Sequence, residues 1–263
     1  MSDLAASVFK LWIYPLKSFD PVEVDSVTLL NSGALWGDRT FALIDATKKF
    51  VNGKRHAQIH TLRSRFDLST NVIELQVQGV DYSAVFHVER DRAALEAWIT
   101  DYLGFSVQLI ENTEMGFPDD TESPGATVVS TATLEAIASW YPDLTVDEIR
   151  RRFRANIELS GVPAFWEDQL FAEPSQAVHF QIGTVRFIGV NPCQRCVVVT
   201  RDSLTGVTNT EFQKTFVEKR RETLPNWVAR SRFNHFFRLA VNTRVPASEA
   251  GKTICLGDMV KIL

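Results

Sequence analysis

The sequence predicts a mainly β, α+β protein made of two β-rich domains. Residues 22–29 alternate strictly between apolar and polar side chains, as expected of a strand with one wet face. Most other apolar runs are short and rich in β-branched residues, whereas helical spacing is confined to a few short segments. We therefore expect an N-terminal β domain at residues 1–110, a linker or mobile loop at 111–127, and a second β domain with short helices at 128–263.

Strands and turns account for most of the first domain. Two polar pairs, Lys17-Ser18 and Asp38-Arg39, fall at strand ends, where such residues usually form turns that face water. A loosely basic stretch follows over residues 54–65. The predicted strands are residues 8–14, 22–29, 40–45, 72–77 and 84–88, and an amphipathic helix is predicted over 92–103.

The second domain is predicted to contain three short helices. Each follows a hydroxyl residue that can cap its N-terminus, in two cases with Glu or Gln three residues later. The predicted caps are Ser130-Thr131, before a helix that ends at Tyr141-Pro142, then Thr145 with Glu148, and Thr210 with Gln213. Residues 153–159 are predicted to lead into a strand. Residues 254–262 are predicted to form two short strands about a Gly-Asp turn, which can close a small barrel.

Four arginines crowd into residues 150–154. The planar guanidinium suits phosphate and carboxylate groups because it donates two parallel hydrogen bonds. We expect Arg150 and Arg151 to lie on the solvated face of a helix. Arg154, beside the apolar Phe153, is expected to point inward at an anionic group.

Composition argues against several classes of function. The 263-residue chain is 45% hydrophobic with a formal net charge of -4, which suits a globular protein and not a nucleic-acid-binding one. Three cysteines do not make a disulfide framework, and Cys255, in an apolar run, is expected to be buried. Residues 1–7 lack the basic region of a signal peptide, and no stretch approaches the ~20 apolar residues of a membrane span. We expect a cytoplasmic protein with neither a membrane nor a nucleic-acid partner.

The pair Cys193 and Cys196 carries the strongest chemical signal. Residues 185–190 before it and 197–200 after it are β-prone, so we expect it on a tight connection between two strands. The cation at Arg195 favours the thiolate, the form that attacks electrophiles and binds metals. A redox pair normally opens a helix, and structural zinc needs four ligands, so both are disfavoured. A single thiolate ligand to a soft metal and a thiol that carries sulfur remain open.

Four segments match one known pattern in their order along the chain. They are Ile13-Tyr14-Pro15-Leu16-Lys17-Ser18, Gly37-Asp38-Arg39, Phe153-Arg154-Ala155-Asn156-Ile157, and Cys193-Gln194-Arg195-Cys196 with the turn over 200–206. The chain thereby resembles the MOSC-domain proteins, the family of the C-terminal domain of molybdenum cofactor sulfurases, and within it the mitochondrial amidoxime-reducing component and its bacterial relatives. The resemblance covers nearly the full length. It implies an N-terminal β-barrel-like domain followed by a MOSC β-barrel with short helices.

The resemblance also implies a site for the molybdenum cofactor, a phosphorylated pterin dithiolene (molybdopterin). Cys196 would be the thiolate ligand of molybdenum, and Arg195 would help to hold the negative charge of the site. Cationic forks and hydroxyl donors suit a phosphorylated cofactor, and a soft thiolate suits the metal. The family positions that hold the phosphate and the pterin ring correspond to Lys17, Ser18, Arg39 and Arg154, with Asn156 and Ser130 nearby.

The implied activity is the two-electron reduction of a small N-hydroxylated substrate, such as an amidoxime or a hydroxylamine, at the cysteine-ligated molybdenum. We expect no iron–sulfur cluster in this chain, so electrons would come from a separate electron-donor reductase. We also expect no pyridoxal-phosphate lysine domain in this chain. One alternative is a carrier that binds the molybdenum cofactor, or holds a persulfide on Cys196 or Cys193, and delivers it to other enzymes. The other is a thiol-based binding module without molybdenum.

Overall fold

The computed structural model describes residues 5–263 and confirms a mainly β, α+β fold. Residues 1–4, part of the stretch on which the localisation prediction rests, lie outside the described residues. The strands are β1 Ser7–Ile13, β2 Val22–Val24, β3 Ser26–Thr28, β4 Phe41–Asp45, β5 Phe50–Val51, β6 Leu62–Asp67, β7 Val72–Val77, β8 Ser83–His87, β9 Val107–Glu111, β10 Val128–Ser130, β11 Ile157–Ser160, β12 Val178–Ile182, β13 Val185–Gln194, β14 Arg238–Arg244, β15 Thr253–Cys255 and β16 Val260–Ile262. The α-helices are α1 Arg92–Leu103, α2 Thr131–Ala138, α3 Val146–Phe153 and α4 Phe212–Glu222, and 3₁₀ helices span Ala57–Thr61, Trp166–Leu170, Val197–Thr200, Arg230–Arg232 and Ala247–Glu249.

Eight strands form one large sheet in the order β16-β12-β13-β14-β10-β11-β1-β2. Strands β10 and β11 run parallel, and the other neighbours are antiparallel. A single bridge between Ser7 and Met259, with Val8 N donating to Asp258 O at 2.9 Å, joins β1 to the residues before β16. The ladder does not continue from there, so within residues 5–263 the sheet approaches closure at one point and stays open.

The remaining strands form three small sheets. Strand β4 pairs with β5 and β9, strands β6 to β8 form a meander, and β3 pairs with β15. Helix α1 packs on the first two of these sheets through an apolar core that includes the fully buried Leu43, Leu75 and Ile99. Strands β1 to β3 thus share sheets with the C-terminal half, while β4 to β9 surround a core of their own. The domain boundaries at residues 110 and 128 remain a prediction.

Helices α2, α3 and α4 pack together through aromatic side chains. Tyr141 stacks on Phe212 with ring centroids 4.5 Å apart, and Phe216 lies 5.6 Å from Phe153. This packing holds the C-terminal end of α3 beside the 3₁₀ helix Val197–Thr200. The described helices are short, and in residues 5–263 none combines the length and apolar character that crossing a bilayer requires.

The capping predictions are confirmed for α2 and α3. Ser130 and Thr145 each accept a hydrogen bond from the backbone amide three residues on, at 3.2 Å. The prediction of Thr210 as a cap is wrong. Glu211 is the N-cap of α4, and Asn209 Oδ1 accepts the Glu211 backbone N–H at 3.1 Å instead.

Four other local predictions are wrong. Residues 197–200 turn into a 3₁₀ helix instead of a strand, with Thr200 Oγ1 donating to Val197 O at 2.7 Å, so the cysteine pair does not connect two strands. Cys255 is exposed, because its neighbour Ile254 takes the inward position of β15. Residues 22–29 divide into β2 and β3, which join different sheets, and α2 ends at Ala138 before the predicted stop.

Candidate functional site

The turn after β1 buries a lysine. Lys17 is 7% exposed, and its Nζ donates to Phe117 O at 2.8 Å and to Asp119 at 2.5 Å. Oγ of the following Ser18 accepts the Gly53 N–H at 3.2 Å. Burial lowers the pKa of Lys17, and the Asp119 carboxylate offsets part of this shift. Lys17 is therefore an interior cation and not the water-facing turn residue that its position alone suggests.

Two arginines flank the ring of Tyr14. The guanidinium carbons of Arg154 and Arg39 lie 4.1 Å and 5.4 Å from the ring centroid. Arg154 Nη2 donates to Phe19 O at 2.7 Å, and Arg39 pairs with Asp38. Burial raises the pKa of Tyr14 to about 12, although the nearby arginines favour its ionised form. The neutral ring attracts both cations, which offsets part of the repulsion between two like charges.

Three predicted site residues have a left-handed backbone. The φ angles are 75° at Ser18, 51° at Arg39 and 53° at Arg154, and these are three of the seven non-glycine residues with positive φ in residues 5–263. Such conformations cost about 1–3 kcal/mol each and persist where the surrounding structure imposes them, often at binding sites. Arg154 takes this conformation as the C-cap of α3.

The cysteine loop, residues 193–196, begins in the last two residues of β13 and continues beyond it. Cys196 is exposed and Cys193 is half-buried. Arg195 donates from Nη1 to Cys193 Sγ at 3.2 Å and from Nη2 to Phe153 O. Its guanidinium carbon also lies 5.1 Å from the centre of the Phe153 ring. Because Phe153 precedes Arg154, the Arg195 side chain ties the thiol-bearing loop to the arginine pair.

The N-terminal half contacts the turn beyond the cysteine loop. Arg201 Nη1 donates to Gly53 O, and Arg63 Nη2 donates to Ser203 O at 3.2 Å. Gly53 is also the donor to Ser18, so one backbone segment contacts both sides of the cluster. The site is built from both halves of the chain.

Sequence reasoning missed His60, Arg63 and Arg201 as neighbours of the cluster. Burial, reinforced by the nearby cations Arg201 and Arg154, lowers the pKa of His60 to about 4, so the imidazole is neutral near pH 7. His60 and Arg63 lie in the basic stretch over residues 54–65, which is the one sign of them in the sequence. That stretch does not reveal that they contact the second domain.

Ser130 and Asn156 use their polar atoms inside the fold. Ser130 is fully buried and caps α2. Asn156 is 1% exposed, and its Oδ1 accepts the Thr127 N–H at 3.2 Å while its Nδ2 donates to Trp12 O at 3.1 Å. Both side chains join strands and helix together, and neither contacts the arginine pair through a hydrogen bond.

The expectation that Arg150 is solvated is wrong. It forms a two-pronged ion pair with the buried Glu158, at 2.6 Å and 2.8 Å, which ties α3 to β11. Arg151 is exposed, as predicted. Arg154 points inward, as predicted, but in the described chain it meets a ring and a carbonyl group and forms no ion pair with a carboxylate.

The cluster therefore combines an excess of positive charge with a free thiol. Arg39 and Lys17 have carboxylate partners in Asp38 and Asp119, whereas Arg154 and Arg195 hydrogen-bond to carbonyl groups. Cationic side chains held in place by the fold bind anions such as phosphate groups. An exposed thiol at the edge of such a site is placed for metal ligation or for carrying sulfur.

Comparisons with known proteins cover almost the whole chain. A family model described as the MOSC N-terminal beta barrel domain matches residues 5–114, and the model of the MOSC domain matches residues 125–261. A protein named molybdenum cofactor sulfurase from Homo sapiens is 23% identical over 84% of this chain, and one from Drosophila mojavensis is 25% identical over 77%. The chain spans only 29% of the length of either relative.

The chain is also similar to a solved structure over most of that structure's length. The YUAD protein from Bacillus subtilis is 12% identical, covers 98% of this chain and 95% of its own, and superposes with a TM-score of 0.41. A TM-score at that level supports no conclusion about the fold or the site.

Proposed function

The chain belongs to the MOSC family, with the family's N-terminal beta barrel domain preceding the MOSC domain, and from this we propose that it binds the molybdenum cofactor and reduces N-hydroxylated compounds with it. The substrates would be small amidoximes and hydroxylamines. Two electrons and two protons convert the N–OH group into N–H and release water, and a separate electron-donor reductase supplies the electrons.

The main support for the proposal is the meeting of three residues with unusual backbone conformations at one place. Ser18, Arg39 and Arg154 come from three distant parts of the chain, all have a left-handed backbone, and the two arginines lie against the same tyrosine ring. Packing alone rarely requires three such residues at one place. Their convergence beside Lys17 and the cysteine loop supports a site built for a specific ligand.

The residues present fit a phosphorylated cofactor that carries a soft metal. Arg195 Nε is buried without a hydrogen-bond partner in the described chain, and Arg154 has no carboxylate partner, so the site still has donors and charge to offer an anion. No group of three or more His, Cys, Asp or Glu side chains in residues 5–263 is arranged around a metal position. Cys196 would therefore be one protein ligand among ligands that the cofactor itself supplies.

In this proposal each side chain has a separate task. Lys17, Arg39 and Arg154 would hold the phosphate and the pterin, and Cys196 would be the thiolate ligand. Bound there, the cofactor would supply the two-electron chemistry. Arg195 would position the loop that carries Cys196, through its bond to Phe153 O. His60, neutral near pH 7, would add no charge to the anion site, but its imidazole can still exchange hydrogen bonds with a ligand.

The exposure of Cys196 favours a second candidate function. A sulfur or cofactor carrier needs its thiol within reach of another enzyme, which an exposed loop allows. Such a carrier would release its cargo readily and would show no turnover with N-hydroxylated substrates. A metal-free thiol module is disfavoured, because it gives no reason for the arginine pair.

The test is the molybdenum and pterin content of the protein purified from a host that makes the cofactor. We expect near-stoichiometric molybdenum in the wild type and its loss in Cys196→Ala, because the variant lacks the thiolate ligand. Cys255→Ala is the matched control, since Cys255 is also an exposed free thiol but lies on β15. Reduction of benzamidoxime with a chemically reduced dye as electron donor then tests the activity.

The molybdenum content of the wild type and of Cys196→Ala distinguishes the reductase from the carrier. Molybdenum retained in Cys196→Ala would contradict the assigned ligand. A wild-type protein without molybdenum, from a host in which another molybdenum enzyme loads normally, would overturn the reductase proposal. Bound cofactor that passes to an acceptor apoenzyme, with no reduction of benzamidoxime, would identify the carrier.

A further inference from the structure

The loop after β9 supplies a carboxylate to the buried Lys17. The Asp119 carboxylate accepts a hydrogen bond from the Lys17 ammonium at 2.5 Å. The side chain of Lys17 is only 8% exposed, whereas that of Asp119 is 90% exposed. The two partners therefore depend on each other unequally. A buried cation needs a counter-charge, while a carboxylate in water loses little when it leaves.

The same loop is anchored next to Asp119 by its backbone. Phe117 N donates to Arg39 O at 2.8 Å, and a Cβ atom on Gly116 would lie 2.4 Å from Asp38 O, so this part of the loop fits closely against the site. Residues 118–121 form a single hydrogen bond to described residues outside their own loop, the one between Asp119 and Lys17. Asp119 can therefore leave Lys17 while the anchor stays in place.

The second carboxylate of the cluster is held differently. Asp38 Oδ1 accepts the Tyr14 N–H at 2.9 Å, and Oδ2 pairs with Arg39. Its side chain is 10% exposed. Asp38 is thus a fixed part of the site, and Asp119 is its one weakly held negative charge among the described residues.

We propose that Asp119 is an internal competitor for the ligand's anionic group: it neutralises Lys17 in the free protein and is displaced when a phosphate group binds. A phosphate monoester carries a charge of about -1.5 to -2 at pH 7, more than the carboxylate that it replaces. A monoanion offers Lys17 no more charge than Asp119 already does. Asp119 is therefore a specificity-determining residue that favours phosphorylated ligands. This inference rests on the proposed function, because it takes the cluster to be the phosphate site.

The experiment measures inorganic phosphate binding to the full chain, produced in a host that does not make the cofactor. Isothermal titration calorimetry is carried out on the wild type, Asp119→Asn and the control Asp120→Asn. The control removes the same charge from the same loop, and its amide oxygen can still accept the Glu122 N–H. We expect Asp119→Asn to bind phosphate about three- to five-fold more tightly than the wild type, as loss of competition from a half-exposed ion pair implies. Asp120→Asn should match the wild type.

Hydrogen–deuterium exchange provides a second measurement on the wild type. Displacement of Asp119 predicts faster amide exchange at Glu122 and Ser123, whose N–H groups are hydrogen-bonded to Asp120, when phosphate is added. Slower exchange there, weaker or unchanged phosphate binding by Asp119→Asn, or no binding by any of the three proteins would each overturn the inference. Molybdenum content is measured separately, so a protein that holds molybdenum normally but fails this test rejects the competitor role and leaves the proposed function standing.

Discussion

Tyr14 brings the two site arginines to one ring. Tyr14 is 2% exposed, its hydroxyl donates to Ala155 O at 3.3 Å, and the guanidinium groups of Arg39 and Arg154 both lie near its ring. A buried cation–π contact is worth about 1–2 kcal/mol, enough to offset repulsion between the guanidinium groups. Tyr14 is therefore a positioning residue, which acts on a ligand through the arginines.

Changing the ring and changing the hydroxyl should have different effects. We expect Tyr14→Phe to retain molybdenum and phosphate binding, whereas Tyr14→Leu loses most of both because the arginines no longer share a ring. Phe19→Leu is the control, since Phe19 is equally buried in the same turn but is not stacked by a guanidinium. Equal losses of phosphate binding in Tyr14→Leu and Phe19→Leu, compared at similar unfolding temperatures, would argue for a purely structural tyrosine.

Glu167 is a second residue whose chemistry follows from burial. It is 1% exposed, its Oε2 accepts the Thr133 hydroxyl at 3.0 Å, and its Oε1 is buried without a partner in the described chain. Burial, reinforced by the neighbouring Asp168, raises the pKa of Glu167 to about 7 from a reference of 4.5. The folded protein therefore favours the protonated acid.

The raised pKa of Glu167 makes the folded protein more stable at low pH than at neutral pH. The stabilising contribution of protonated Glu167 is fully present below pH 4.5 and is lost as the pH rises to 7, a change of about 3 kcal/mol. We expect Glu167→Gln, which mimics the protonated acid, to gain stability relative to the wild type across this range, measured by urea unfolding at several pH values. The exposed Glu135→Gln should show no such gain. Parallel pH profiles for Glu167→Gln and the wild type would refute the shifted pKa.

The residues of the candidate site were only partly predictable from the sequence. Arg154 could be predicted as inward-pointing because a charge beside apolar residues needs a partner, and Lys17 through its motif. His60 and Asp119 could not, since each enters the site through a contact between distant parts of the chain. Arg150 was misjudged because its buried partner Glu158 lies in β11, a strand whose sequence gives no sign that it buries a charge.

At the level of elements, β13 fits against the 3₁₀ helix Trp166–Leu170 with no room for a side chain. A Cβ atom on Gly189, in the middle of β13, would lie 1.5 Å from Leu170 O. This contact fixes the strand that ends in the cysteine loop. Backbone must move to admit even a methyl group there.

We expect Gly189→Ala to destabilise the protein by about 3 kcal/mol or more, measured as the free energy of unfolding in urea. Gly79→Ala is the control, because its Cβ would meet nothing within 4 Å and its positive φ costs only about 1 kcal/mol. Similar losses in the two variants would show that the contact with Leu170 relaxes easily.

Helices and strands with clear periodicity were predicted well, and α1 matches its expected range of 92–103. The errors come from short β-branched runs. Val197–Thr200 has strand composition, but the hydroxyl of Thr200 and the packing of Val199 beside α3 favour a tight turn. Cys255 was assigned to the core because alternation over three residues does not indicate which face is buried.

At the level of the whole molecule, the two halves share their strands. Strand β1 lies between β2 and β11, and β3 pairs with β15. Composition and periodicity predicted the strands, but they contain no information on which distant strands pair. The shared sheets and the Arg201 and Arg63 contacts hold both halves of the site in one frame.

Because the two halves share strands, some early strands are synthesised on the ribosome well before their pairing partners. Strand β1 has to wait for residues 157–160 before β11 can join it, and β3 has to wait until residues 253–255 have been made. Residues 41–111 can begin to fold in the meantime, because β4 to β9 and α1 pack on one another. The nascent chain thus carries β3 without its partner until almost its last residues emerge, so chaperones that shield exposed strand edges would matter most for this early segment.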